Sequence, residues 1–600
     1  MRRTTLLLFS LILLCLSTSA HAQLWSGILD PSRAIDWSTA GIPGGIPNRT
    51  TICSSLAAST YGNGASDATA GIQAALNSCP ANQVVSLSAG TFRINSSLTI
   101  PSNKVLRGAG PAQTIFDLHG LTTGAINFGA GSQPSAGISN AITGGAAKGS
   151  TSITVSGGGI AVGQLMVITQ NDLSYMTNVG DGGVCSWCNG GIGGDSGQVV
   201  RVTNVNGGTI TFTPPLYMGY TNSPVAYPYN AGGTNIGLES LQLYANNTGY
   251  TTNILLQGVT YSWVYNVESN FADGDHMHIY YGLGNVVSHS YFHDGFNHGP
   301  GTTDDMLGLA YKSSANLIVN NIFYRQHVSV MLEWGASGNV IAYNYSTGTY
   351  QQAALSWLMV DFAFHGAHPM MNLFEGNVGV QFQPDSYWGS SSHSTLFRDF
   401  FLGSSQFVPP LNSRGPLQPQ NAVQQTSNAL AYAMDWLSQF NNMVGTIAGA
   451  PSLLAGGAVS KRVSPAAGGG SPACIQVGYS SYSGGAHTPN NADTTMFYHG
   501  VYNCVEGSFQ WDPGHPNHTL PASFFLSSKP AWWGNVPWPA IGPDVTGGNM
   551  LSVGGHAYKI PAQLCLENSP KDANDFIIFN PTTCYKGSGG PAPPTGLRLQ

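Results

Sequence analysis

The sequence predicts an all-β fold, a parallel β-helix, on three observations. Glycine (77 residues) and proline (35) supply turns throughout the 600 residues, while a hydrophobic content of 42% supplies a core. That combination excludes disorder, which requires low hydrophobicity and high charge. Aligning NIGLES (Asn235), SWVYNV (Ser262), NVVSHS (Asn285), NLIVNN (Asn316), NVIAYN (Asn339), NLFEGN (Asn372) and TLFRDF (Thr395) gives steps of 27, 23, 31, 23, 33 and 23 residues. A base step of 23 with occasional insertions is what stacked coils with loops on some turns produce. The third observation lies in the columns. One residue after each anchor stands an apolar side chain, and five after it stand Ser290, Asn321, Asn344 and Asn377. Such a polar column satisfies its amides up and down a stack, as in cross-β structures.

The elements follow in order. Residues 1–22 have a short basic start, an apolar run and an AHA cleavage pattern, which predicts a signal peptide cut near Ala22 and a secreted or periplasmic protein. No later apolar stretch is long enough to span a membrane. Residues 23–137 carry an N-terminal cap and the first coils. Within them DATAGIQAALNSC (Asp67–Cys79) predicts a short helix, with Ile72, Ala75 and Leu76 on one face. This helix pattern, followed by VVSLSAGTFRINSSLTIPSNKVLRGAG (Val84–Gly110), resembles the opening of the pectate-lyase superfamily. The resemblance implies a right-handed β-helix whose open end is lidded by the helix. It is specific for fold and not for reaction, since that superfamily holds lyases, hydrolases, epimerases and non-enzymatic solenoids.

Residues 138–225 break the period with alternating strands around a Gly-rich loop, predicting a small β-insertion. The central coils occupy 226–404. From 405 to 587 the pattern predicts a C-terminal capping region, with a helix over Asn421–Val444, and 588–600 reads as a linker-like tail. Eight cysteines remain after the leader, an even number that suits disulfides in an oxidising compartment, and neighbour pairing is expected.

The functional signal is a concentration of histidine. Charged residues are 8% of the chain, yet DGDHMHIYY (Asp273–Tyr281) packs two aspartates and two histidines together, and nine of the 16 histidines fall between His276 and His393. On a strand with Met277 and Ile279 inward, His276, His278 and Tyr280 face outward. The same alternation in later coils turns Glu333, Asp361 and His365 outward. Acids and histidines distant in sequence thus meet on one outer face, about 4.8 Å apart per coil.

Uronate elimination needs a base at C5 and a group that neutralises the carboxylate. His278, His365, Tyr280 and Arg398 suit it, with Asp273, Asp275, Asp304 and Asp305 as oxygen ligands for Ca²⁺. Hydrolysis needs paired carboxylates, here Asp304, Asp305, Glu333 and Asp361. His276, Tyr280, Trp334, His368 and Trp388 are candidate sugar contacts. A zinc site from Asp273, His276 and His278 lacks a fourth ligand at a defined spacing. Structural roles are expected for an Asp294–Arg325 ion pair and for His289 and His293 at coil corners. Glu375 and Arg398 read either as a structural pair or as including a catalytic arginine, and Asp385 and His393 as solvated loop residues.

A polysaccharide lyase is therefore the leading expectation, with a glycoside hydrolase and a non-catalytic glycan-binding or adhesin-like solenoid as alternatives. A net charge of −7 without Lys/Arg runs excludes nucleic acid as the partner, and a monomer acting on a polysaccharide is expected.

Overall fold

The computed structural model describes residues 23–245, 252–295, 298–299, 306–408, 421–450, 453, 460–463, 473–480, 487, 490–550, 553–572 and 576–585. The expected signal peptide, Asp304, Asp305 and the expected tail lie outside these residues.

Among the described residues three long sheets of 12, 12 and 11 strands, parallel except for the last pairing of the second, build a β-helix, and successive coils add a strand to each. One coil contributes Val286–Ser288, Tyr291–His293 and Leu307–Ala310. The next contributes Leu317–Val319, Ile322–Tyr324 and Val330–Glu333, paired in parallel register with the first. The core is filled by one residue face from every sheet, such as Val287, Phe292, Leu309, Ile318, Phe323 and Leu332. The apolar column one residue after the anchors faces the other way. Val286, Leu317, Val340 and Leu373 pack outside the first sheet against the N-terminal segment and residues around Phe524 and Trp533. A sheet buried on both faces reads as a continuous apolar run, as this one does.

The corners explain the polar columns. His289, Asn320 and Tyr343 adopt the left-handed conformation (φ 54°, 55° and 57°), which turns the chain from the first sheet into the second. The next residue forms a buried ladder. The side-chain amide of Asn321 donates to Asn344 Oδ1 (3.0 Å), that of Asn344 to Asn377 (3.0 Å), and that of Asn377 to Asp399 (2.9 Å). The anchors make a second ladder, in which Asn285 donates to Asn316 (2.9 Å), Asn316 to Asn339 (2.9 Å) and Asn339 to Asn372 (3.0 Å).

The expected helix is Thr69–Ser78, with Ile72, Ala75 and Leu76 buried on the end of the core. The insertion is a closed six-stranded antiparallel barrel running from Asn140–Gly144 to Val225–Tyr229. Its strands alternate as read, with Ile153 and Val155 inside and Thr154 and Ser156 outside. All four disulfides join neighbours: Cys53–Cys79, Cys185–Cys188, Cys474–Cys504 and Cys565–Cys584.

The C-terminal reading needs correction. Asn421–Val444 is not a helix but a further coil, in which Leu430–Asp435 joins the third sheet and Asn442–Val444 the first. Coils continue to Val501–Asn503, so the solenoid does not end at 404. Pairing of Tyr432 with Phe382 and Ile475 outweighs the helix propensity of this alanine- and methionine-containing stretch.

Truncating Asn344 leaves the backbone N–H of Asn321 and one hydrogen of its side-chain amide without their acceptor. Asn344→Ala is expected to lower unfolding free energy by about 1–3 kcal/mol in urea titrations. An unchanged midpoint would show that the ladder does not hold the coils.

Candidate active site

Two of the three outer faces are covered by apolar packing. The N-terminal segment, the barrel and residues 520–560 lie on the first sheet, and the Cys565–Cys584 segment packs Phe579 and Leu566 against Tyr291 and Ile322 of the second. The third sheet instead carries charge. Its register sets His278 beside Gly308, Gly308 beside Met331, and Met331 beside Ala363. Glu333 stands beside His365 in the neighbouring column. At the N-terminal end the same face continues into a cavity of about 230 Å³ lined by Thr99, Asn127, Leu255 and Gln257. Leu255 and Gln257 there are in register with His278 and Tyr280.

Five side chains form an alternating line along this face. His278 Nδ1 donates to Asp275 (2.8 Å), and its Nε2 lies 3.6 Å from Glu333. His365 Nδ1 donates to Asp385 (2.6 Å). The His278 ring reaches across an intervening strand, and only glycine permits this. A Cβ at position 308 would stand 2.2 Å from His278 Nε2. Tyr280 stacks on the ring (4.3 Å between centroids) and shields it. The line is buried at one end and open at the other: the side chains of His278 and Glu333 are 3% and 2% exposed, those of His365 and Asp385 17% and 20%.

The electrostatics favour charged rings. Burial pushes the imidazolium of His278 down, but the Asp275 and Glu333 carboxylates outweigh it and hold the group up at about 9. His365 balances burial against Asp385 and Glu333 in the same way and also lies at about 9. Both are cations at neutral pH.

A loop of the inserted barrel supports the open end. The backbone N–H groups of Asp181 and Gly182 donate to the carbonyls of Ser386 and Tyr387 (3.1 and 2.8 Å), and Thr177 N–H donates to Ser390 Oγ (2.7 Å). The loop thus clamps the segment that carries Asp385, and Tyr387 N–H donates back to Asp385 (3.0 Å). Tyr387 stacks on His365, and Trp388 packs against Tyr387 and the Cys185–Cys188 disulfide. Trp334 lies in the same cluster, beside Tyr311.

The other expected site residues lie elsewhere. His276 is turned inside at a corner, bonded to Ser269 (2.8 Å), and burial lowers it to about 3. Asp361 does not face outward. It is fully buried and accepts from Ser346 (2.7 Å), Thr349 (3.1 Å) and the backbone N–H groups of Val380 and Gln381, and burial raises it to about 6. His368 bonds Ser390 and Ser392 (2.7 Å each), away from the line. Arg398 pairs with Asp544 (2.6 and 2.9 Å) under the C-terminal wrap rather than with Glu375, which accepts from Tyr343 (2.6 Å). Asp294 and Arg325 form the expected pair (2.7 Å), and His289 is a buried corner residue. Asp385, read from sequence as a solvated loop residue, is the acid that completes the line. Its spacing from His365 gives no local signal, because the two meet only through coil stacking.

Asp273 and Asp275 do not fit calcium. Both are buried, and Asp275 is committed to an imidazolium that opposes a second cation on the same carboxylate. No group of three or more His, Cys, Asp or Glu among the described residues has metal-holding geometry. No helix among them is long and apolar enough to cross a membrane.

No family model and no curated protein matches the chain. Similar solved structures include a tailspike protein, gp49, of Pseudomonas phage LKA1, at 14% identity over 71% of this chain and a TM-score of 0.47. The chain spans 62% of that tailspike's length. A tailspike of Pseudomonas phage phi297 matches at 10% identity over 74% of this chain and 83% of its own, with a TM-score of 0.40. The A-module of the Azotobacter vinelandii mannuronan C-5 epimerase AlgE6 matches at 12% identity over 65% and 93%, with a TM-score of 0.31.

Two predictions follow from the charge line. Gly308→Ala is expected to push His278 off Glu333, so that its ring, followed by NMR titration, loses protons below about pH 9; a ring still titrating near 9 would contradict the contact. In stability, His278 lies at about 9 in the fold against about 6.5 unfolded. Its contribution, on the order of 3 kcal/mol, is complete below about pH 6.5 and is lost as pH rises through about 9. The stability gap between wild type and His278→Asn should therefore narrow between pH 6.5 and 10, and a constant gap would show an uncharged ring.

Proposed function

We propose that the chain is a secreted, carbohydrate-active enzyme, a polysaccharide lyase that cleaves a uronate-containing polysaccharide by β-elimination. One observation carries the reading: an imidazolium, His365, opens onto the one sheet face that carries the charge line, in register with the Glu333 carboxylate. Its Nδ1 is taken by Asp385, which leaves its Nε2 as the cationic edge that meets an acidic sugar. Paired to the uronate carboxylate, His365 makes the C5 proton more acidic. Glu333, enclosed at 2% exposure without a ligand, takes that proton once the sugar is seated against it, the C4–C5 double bond forms as the C4–O bond breaks, and water protonates the leaving oxygen. His278 holds Glu333 in place as a positioning residue.

Hydrolysis by a carboxylate pair has less support. Asp361 is tied up in four hydrogen bonds, and Asp385 is held by His365. The four disulfides suit an oxidising, extracellular setting.

The test is an assay on acidic and neutral polysaccharides, with calcium or a chelator, reading unsaturated-sugar absorbance and new reducing ends together. Both signals should rise on an acidic polysaccharide and survive chelation. His365→Asn and Glu333→Gln should each lower kcat at least about 100-fold. Because the active form of His365 is the cation, kcat should fall as pH rises through about 9. Reducing ends alone would mark a hydrolase, and binding without either product would mark a non-catalytic solenoid.

A further inference from the structure

The loop that clamps Asp385 carries a feature the proton-transfer chemistry does not use. Val179–Gly180 and Gly183–Val184 form a short hairpin, and Cys185-Ser-Trp-Cys188 follows it, closed by its own disulfide. Val179, Val184 and Trp187 are 50%, 58% and 40% exposed. Ten large apolar side chains are exposed among the described residues, and three of them fall in these nine positions. A concentration of this kind marks a contact surface.

Its placement names the occupant. Trp187 stands edge-to-face on Trp388 (4.8 Å, 73°), Trp388 on Tyr387 (4.6 Å), and Tyr387 is stacked on His365 (5.9 Å). An aromatic path therefore leads from the exposed indole to the open end of the charge line without a break. The loop is also held rigidly. Cys185 N–H donates to the Asn178 carbonyl (2.8 Å), and Ser386 Oγ donates to Asp181 (2.5 Å). Asp181 also accepts from Ser480 Oγ (2.6 Å). A Cβ at Gly182 would meet the Tyr387 ring at 2.5 Å, so the two loops are in direct contact. A fixed, half-exposed indole beside a sugar-cleaving centre is suited to the apolar C–H face of a pyranose ring, which it covers with little loss of side-chain freedom.

We infer that Trp187, displayed by the Cys185–Cys188 ring, is a stacking platform for a pyranose unit of the same polysaccharide, next to the unit held at His365. The inference rests on reading the third-sheet face as a glycan cleft. The disulfide is then a binding device: it fixes the angle at which the indole is presented, and opening it costs affinity rather than fold.

The test is electrophoresis of the native protein through gels containing polygalacturonate or alginate, which reads binding without turnover. Wild type should be retarded by at least one of them. Trp187→Ala should weaken apparent affinity roughly three- to tenfold. Trp187→Phe should recover most of it, and the double variant Cys185→Ser, Cys188→Ser should behave like Trp187→Ala. In turnover assays Trp187→Ala should raise KM and leave kcat unchanged. Equal retardation of wild type and Trp187→Ala overturns the platform, as does no retardation of wild type in either gel. A change in oligomeric state of Trp187→Ala with unchanged retardation also overturns it, and assigns the patch to a second copy of the chain. A wild type retarded through Trp187 that releases no unsaturated ends would sink the elimination reading and leave the platform standing.

Discussion

The stacking of one asparagine on the next is the constraint on which the rest depends. Each rung binds the amide of the rung before it, while the backbone N–H of the lower residue donates to the same oxygen, as Asn316 does to Asn339 Oδ1 (3.0 Å). Each amide also donates to a carbonyl of the preceding coil, as Asn344 does to Ile318 (2.9 Å), so a slip of one residue between coils would orphan several polar groups at once. Loops of very different length can therefore interrupt the coils without shifting them. The 23-, 31- and 33-residue steps all return to the same corners.

A fixed register makes a cleft from residues that sequence keeps apart. Asp275, His278, Glu333, His365 and Asp385 come from four coils and meet in one line because each coil presents the same face. Within that frame small residues decide the contacts. Gly308 lets the His278 ring lie across a neighbouring strand, and Gly182 lets the barrel loop settle on Tyr387. The burial gradient then sorts the two imidazoles. His278 is enclosed and holds Glu333, whereas His365 has the same charge but opens to a ligand. The inserted barrel belongs to this arrangement, since its loop fixes the segment that carries Asp385.

Much of the fold was legible because solenoids repeat. The period, the Ser290–Asn377 column, the capping helix and the neighbour disulfides all depend on local pattern. The Asn421–Val444 stretch misled because its helix-forming residues are overruled by strand neighbours distant in sequence, Phe382 and Ile475 beside Tyr432, which no window reveals. The outward facing of the candidate residues was legible where strand alternation is clean, at His278, Tyr280, Glu333 and His365. It failed at corners, where alternation stops: His276 and Asp361 turn inward just before a strand begins, and their polar atoms are absorbed by serine and threonine neighbours. Arg398 was misplaced because its partner, Asp544, comes from the wrapping segment, 146 residues away. Asp385 was read as solvated because its contact with His365 forms only when the coils stack.

The central claim is that the charged face of the third sheet is where a glycan is bound and cleaved. It is tested most directly by a crystal structure of Glu333→Gln soaked with an acidic oligosaccharide. The account predicts sugar density along the line from Gln257 past Glu333 to His365, with a uronate carboxylate on the His365 ring. Sugar bound instead in the cavity of about 390 Å³ between the second sheet and the C-terminal segment, against Tyr244, Phe271 and Phe576, would contradict it.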